Sequence, residues 1–120
     1  MYDIETLHEA TSVDDAVKAL AADPQAIVIA GGTDVLVDIR SGKKAGAHLV
    51  SIHGLSDELD GVSLAKDGTV EIGPLTWFHH VTTSPIVQKT VATLGEACDT
   101  PGGPQLRVSG TIGGNVCTAA

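Results

Sequence analysis

The sequence predicts a mixed fold, α/β or α+β, for its 120 residues. Three observations point there. Segments with helical spacing alternate with short β-branched runs, the pattern of layered helices and strands. Asp67-Gly68 sits between two alternating stretches, which is a hairpin signal. Hydrophobic residues make up 42% of the chain but aromatic residues only 2%, so the core must be aliphatic. A chain of this length buries roughly two-thirds of its unfolded surface, enough for a real core.

The elements follow in order. "TSVDDAVKALAAD" reads as a helix. Ser12 is the N-cap and Asp15 stands three residues on, an acidic variant of the capping box. Val13, Ala16, Val17 and Leu20 share one face. Asp23-Pro24 stops the helix. "AIVIA" is then a short buried strand. "TDVLVDIRSG" reads as a short helix ending near Gly42, with Val35, Leu36 and Ile39 as its apolar positions. "HLVSI" is another strand, and "GVSLAKDGTVEIGPL" is the hairpin. "TWFHHVTTSPIVQKTVATLGEA" reads as one or two helices, broken at Ser84-Pro85. The stretch from Asp99 to Ala120 shows no clear period and reads as loop. Its Leu106, Val108, Ile112 and Val116 keep it from being a linker.

Composition excludes several functions. The formal net charge of −8 argues against non-specific nucleic-acid binding and against docking on an anionic membrane. "YDIETLHEAT" has neither a basic start nor an apolar core, so no signal peptide is expected, and the expected location is cytoplasmic. No apolar run reaches the roughly 18 residues of a membrane span. Cys98 and Cys117 match no zinc spacing, and no disulfide is expected between them. His79-His80 reads as a solvated helix face.

Two glycine clusters carry the functional content. In "AIVIAGGTDVLV" a strand meets Gly31-Gly32-Thr33-Asp34 where a helix begins. A helix N-terminus leaves about four N–H groups without partners and carries roughly half a positive charge. Glycine lets phosphate oxygens approach the backbone and allows positive φ. Thr33 can donate to an oxygen or cap the helix, and Asp34 suits the helix N-terminus, accepting backbone N–H bonds. A plain Gly-Gly turn with Thr or Asp as cap remains open. The stretch is neither G-x-G-x-x-G nor a P-loop. In "SGTIGGNVCTA", Thr111, Gly113, Gly114 and Asn115 combine a hydroxyl, flexible backbone and an amide in a number that helix capping does not account for. An irregular loop remains the alternative. Two lysine-free loops of this kind point to a pyrophosphate held by main-chain amides, as in FAD.

With "AGGTDVLV" followed later by R-x-x-G-T-I-G-G-N, from Arg107 to Asn115, the sequence resembles the FAD-binding subunits of molybdenum hydroxylases. That family includes the xanthine dehydrogenase FAD domain and the medium subunits of carbon monoxide and nicotinate dehydrogenases. "LVSIHGL", "GTVEIGPLTWFHHVTTSPIV" and "GGPQLRVSGTIGGNVCTA" fall in the family's order, so the resemblance covers essentially the whole chain. It implies the N-terminal part of a vanillyl-alcohol-oxidase-type (PCMH-type) FAD-binding domain, with a first lobe at 1–53 and the start of a second at 54–120. It implies that Ile29, Ala30, Gly31, Gly32, Thr33, Asp34 and Val35 wrap the pyrophosphate. It assigns Thr111, Gly114 and Asn115 to the diphosphate and ribityl side, with Cys117 and Thr118 lining the cofactor. No catalytic acid or base and no metal ligand is implied on this chain. Molybdopterin and the [2Fe–2S] clusters are expected on partner chains, a large and a small subunit, with electrons leaving FAD for NAD+ or another acceptor. Family FAD subunits continue past this region, so a further stretch or a further chain is expected to complete the FAD domain. Two rivals stay open: an assembly module that binds no flavin alone, and a binder of another phosphate ligand.

Overall fold

The computed structural model describes residues 1–119. The chain divides into two compact units, Met1–Leu55 and Ser56 onward.

The first unit is a three-stranded parallel sheet with two helices. Its order along the chain is β1 (Ile4–Glu9), α1 (Val13–Ala22), β2 (Ala26–Ile29), α2 (Val35–Arg40) and β3 (Ala47–Ser51). The strands lie in the order β1-β3-β2. Parallel neighbours need crossovers, and α1 and α2 supply them. Ile27 and Leu7 flank Leu49 in register. Ile39, Ala47 and Leu49 form the buried centre, with Ile27, Ile29, Val35 and Leu36 packed against it. The three apolar positions expected on α2 therefore all face the core.

The capping of α1 differs in detail from the expected box. Ser12 Oγ accepts from the Asp15 N–H at 3.0 Å, as expected. The Asp15 carboxylate reaches back to the Thr11 N–H at 2.9 Å, one residue before the cap. That bond, together with a contact to His8 Nε2 at 2.9 Å, holds the Asp15 carboxyl below the usual carboxylate range. The apolar stripe of α1 is also less covered than its spacing suggests. Ala16 is buried, but Val17 is 58% exposed.

Strand β1 is absent from the sequence-based element order. All six of its residues are exposed, so no apolar alternation marks it. Its pairing with β3 includes a register shift between Ile4 and Thr6. Glu5 lies at that shift and approaches His48 Nε2 at 3.4 Å. On its other ring nitrogen, His48 meets Asp23 Oδ2 at 2.6 Å. The Asp23 contact, then the one to Glu5, raises the His48 pKa against the opposing effect of burial.

The second unit opens with a single helical turn, α3 (Ser56–Leu59). The hairpin follows as β4 (Val62–Leu64) and β5 (Val70–Ile72), paired antiparallel. Gly68, at φ +87°, takes the left-handed position of its turn, and Asp67 Oδ1 accepts from the Thr69 N–H at 2.9 Å. Three helices then replace the expected one or two: α4 (Phe78–Thr83), α5 (Pro85–Thr90) and α6 (Ala92–Cys98). The break at Ser84-Pro85 is where the sequence puts it, with Ser84 capping α5. A second break falls at Val91, whose φ of −139° leaves the helical region. The stretch after Asp99, expected as loop, holds two short helices, α7 (Pro104–Arg107) and α8 (Ile112–Thr118). Glycine-rich sequence has weak helix propensity, but tertiary packing overrides it. Phe78, Val81, Val87 and Cys98 form the core, and Leu106 and Ile112 pack against it.

Candidate functional site

In the first unit the glycine turn joins β2 to α2. Ile29 ends β2, and Ile29 and Val35 are half-buried with side chains packed on the core. Between them Ala30, Gly31, Gly32 and Thr33 are half-buried and Asp34 is exposed. Gly32 has φ +74°, and an added Cβ would lie 2.9 Å from Leu36 Cδ1. Its carbonyl accepts from the Leu36 N–H at 3.0 Å, starting α2. Among the described residues, no backbone carbonyl accepts from the N–H groups of Gly31, Gly32 or Thr33. A buried or half-buried N–H without a protein partner needs water or a ligand, and a phosphate supplies the required acceptors.

The cap expected from Asp34 does not form. Asp34 occupies the cap position, but its side chain makes no capping hydrogen bond to α2. Its backbone, at φ −103° and ψ −48°, is already helical, whereas capping side chains come from residues in the extended region.

The second cluster is built differently, and here the expectation of an irregular loop is corrected. Thr111 is buried and extended at φ −113° and ψ 152°, and its Oγ1 accepts from the Gly114 N–H at 3.1 Å. It is an N-cap, so helix capping does account for part of this cluster. Gly113 has a packing reason: an added Cβ would lie 2.7 Å from both Pro74 Cβ and the Pro74 carbonyl oxygen. Gly110 has another, with its Cβ position 2.7 Å from the Phe78 ring. Gly114 and Asn115 are half-buried in α8, while Cys117 and Thr118 are exposed. Thr118 Oγ1 donates to the Gly114 carbonyl at 3.0 Å and to the Asn115 carbonyl at 3.2 Å.

A run that reads as the hairpin's end and a helix start, Pro74–Phe78, turns out to hold this cluster in place. Gly113 N–H donates to Pro74 O at 2.9 Å, Ile112 N–H to Thr76 O at 3.0 Å, and Phe78 N–H to Gly110 O at 3.1 Å. Trp77 and Thr111 pair directly as an antiparallel bridge. Thr76 is fully buried, and its hydroxyl accepts from the Gly61 N–H at 2.9 Å. In the sequence this run lies within "GTVEIGPLTWFHHVTTSPIV", one of the stretches that carry the resemblance, and it holds two of the chain's three aromatic residues.

Among the described residues, no group of three His, Cys, Asp or Glu could hold a metal ion. Cys98 is buried, which pushes its thiol pKa up and makes it a poor nucleophile. His80 Nδ1 lies 3.5 Å from Asp60 at the surface. No helix among the described residues is long and apolar enough to cross a membrane.

Fold and motif order together define a class, the PCMH-type α/β domains that carry FAD. The carbon monoxide dehydrogenase of Hydrogenophaga pseudoflava, solved without the Mo-pyranopterin moiety of its molybdenum cofactor, matches with a TM-score of 0.90 and 32% identity, over 97% of this chain and 40% of that one. Quinoline 2-oxidoreductase from Pseudomonas putida 86 matches with a TM-score of 0.85 and 27% identity, over 92% of this chain and 38% of that one. The family described as FAD binding domain in molybdopterin dehydrogenase matches residues 2–120, and the chain belongs to it. The putative xanthine dehydrogenase FAD-binding subunit XdhB of Escherichia coli K12 is 41% identical over all 120 residues of this chain. The nicotinate dehydrogenase FAD-subunit of Eubacterium barkeri is 33% identical over 93 residues. The chain spans 41% of the length of XdhB and 31% of the nicotinate dehydrogenase subunit.

Proposed function

We propose that this chain carries the pyrophosphate-binding part of the FAD site in an electron-transfer subunit of a molybdenum hydroxylase, of the xanthine dehydrogenase type. One observation carries the reading: the half-buried turn after β2 leaves the Gly31, Gly32 and Thr33 N–H groups without a backbone acceptor. That is the donor set a diphosphate needs, and it needs no lysine.

In this reading the residues from Ile29 to Val35 hold the pyrophosphate through main chain, with the Thr33 hydroxyl as a further donor. Asp34 contributes main chain only, because its carboxylate would repel the phosphate. Thr111, Gly114 and Asn115 serve the diphosphate and ribityl side, and Cys117 and Thr118 line the cofactor. Thr111 spends one acceptor lone pair on the Gly114 N–H, and its hydroxyl proton stays available as a donor. Bound FAD supplies the redox chemistry, and the protein supplies position and electrostatics. Electrons arrive from [2Fe–2S] clusters on a small subunit, fed by a molybdopterin-bearing large subunit, and leave for NAD+ or another acceptor. The first lobe is taken as 1–53 and the second as beginning at 54.

The test is reconstitution. Purified chain is mixed with FAD, desalted, and examined for retained flavin absorption and a raised unfolding temperature. Retained flavin is the expected result. A colourless chain that takes up no FAD would sink the reading and leave an assembly module. Stabilisation by ADP but not by FAD would identify a binder of another phosphate ligand.

A further inference from the structure

We infer that Trp77 is a ligand-contacting residue of the second glycine motif, its indole covering a planar ring of the bound dinucleotide; this rests on the FAD reading above. Trp77 forms the antiparallel bridge with Thr111. The hydrogen bonds flank the pair, from the Ile112 N–H to Thr76 O and from the Phe78 N–H to Gly110 O. Trp77 and Thr111 are thus a non-hydrogen-bonded antiparallel pair. In such pairs the Cα atoms approach to about 4.5 Å and the two side chains leave on the same face, close together. The indole therefore emerges beside the Thr111 hydroxyl, which caps the first turn of α8 through the Gly114 N–H.

Burial separates Trp77 from its neighbours. Thr76 is 0% exposed, Phe78 6% and Thr111 5%, yet Trp77 is 45% exposed. It is the chain's only tryptophan. A lone exposed aromatic is ordinary on a protein surface. This one is held by backbone bonds on both sides of the residue that caps α8. Tryptophan offers a wide apolar face and one N–H donor, which suits a flat heteroaromatic ring joined to a polar chain.

The same residue supplies its own readout, because a flavin ring close to an indole quenches its fluorescence. Parent chain, Trp77→Phe and Trp77→Ala are titrated with FAD, and also with FMN and ADP as probes of each ring. Circular dichroism and thermal unfolding establish that each variant is folded. FAD is expected to quench the parent's tryptophan emission. Trp77→Ala should weaken FAD binding about tenfold, the scale of lost ring stacking, and Trp77→Phe should restore most of it. A parallel loss for ADP places the adenine against the indole, and a parallel loss for FMN places the isoalloxazine there. If the parent binds FAD and Trp77→Ala binds it equally well, the inference is overturned while the FAD reading survives. If the parent binds no FAD, both fall.

Discussion

Gly32 and Gly113 stand in similar sequence contexts, each in a Gly-Gly pair with a threonine within two residues, yet they do different work. Gly32 is required by its backbone conformation, at φ +74°. The nearest atom to its missing Cβ belongs to the flexible Leu36 side chain. Gly113 is helical, and what it lacks is room, because its missing Cβ would strike Pro74 backbone and ring. The turn around Gly32 keeps donors that no described backbone group accepts. The motif around Gly113 satisfies itself through the Thr111 cap and the bonds to Pro74–Phe78. A glycine cluster can thus leave backbone donors open or form a tight internal joint, and the residue pattern alone does not separate them.

Substitution at the two glycines should expose this difference most strongly. Gly113→Ala is expected to cost about 2 kcal/mol in denaturant unfolding. Overpacking against the Pro74 backbone takes about 3 kcal/mol, and the better helix propensity of alanine returns about 1 kcal/mol. Gly32→Ala should cost less, about 1.5 kcal/mol for the left-handed conformation, because Leu36 can move aside. Its effect on FAD binding should exceed that of Gly113→Ala once both are compared as folded protein. Equal stability losses, with no difference in binding, would erase the distinction.

Thr111→Val sharpens it from the other side. The cap to the Gly114 N–H is lost, at about 1 kcal/mol, while Thr111→Ser retains it. Amide exchange should quicken at Gly114 and remain slow in the first unit. A stability curve identical to the parent's would mean that the cap carries nothing.

The first unit should respond to pH through His48. His48 lies between Asp23 at 2.6 Å and Glu5 at 3.4 Å, and its pKa is raised, chiefly by Asp23. A raised histidine pKa stabilises the fold fully below the ordinary value of about 6.5. That contribution is lost as pH rises through the folded value. Asp23, held low by His48 and then by the Gln25 N–H, acts in the opposite direction. Its contribution is present above the usual carboxylate range and disappears as pH falls through the folded value. Between those limits the pair is complete. Thermal unfolding of His48→Gln should therefore show a flatter pH profile than the parent from mildly acidic to mildly alkaline pH. An unchanged slope would remove His48 from the account.

Most of the fold was legible where apolar spacing meets burial. Val35, Leu36 and Ile39 sit on the face their periodicity assigns, Ser12 caps the helix its position announces, and the helix break falls at Ser84-Pro85. Legibility failed where burial did not mark the element. Strand β1 has no buried face to read. Helices α7 and α8 are held by contacts from Phe78, Thr76 and Pro74, which are distant in sequence. At the candidate site, the Gly31-Gly32-Thr33 turn between strand and helix was legible because strand, turn and helix are local in sequence. The clamp on Gly110–Gly113 was not, because it depends on tertiary pairing.

Thr33 gives the smallest expected change in stability and the clearest test of an open turn. It is half-buried in a loop, with no role in the cap of α2. Replacing its hydroxyl in Thr33→Val should shift stability by less than about 0.5 kcal/mol, as for surface positions without a structural task. If the turn holds a diphosphate, one donor to an oxygen is lost. A hydrogen bond to a charged group contributes about 1.5–3 kcal/mol, so FAD affinity should fall by roughly tenfold or more. Isothermal titration of parent, Thr33→Val and Thr33→Ser would measure it, with the serine variant expected to bind like the parent. A variant that loses stability while keeping its affinity would show the Thr33 hydroxyl to be an internal strut, and the first turn would then resemble the second after all.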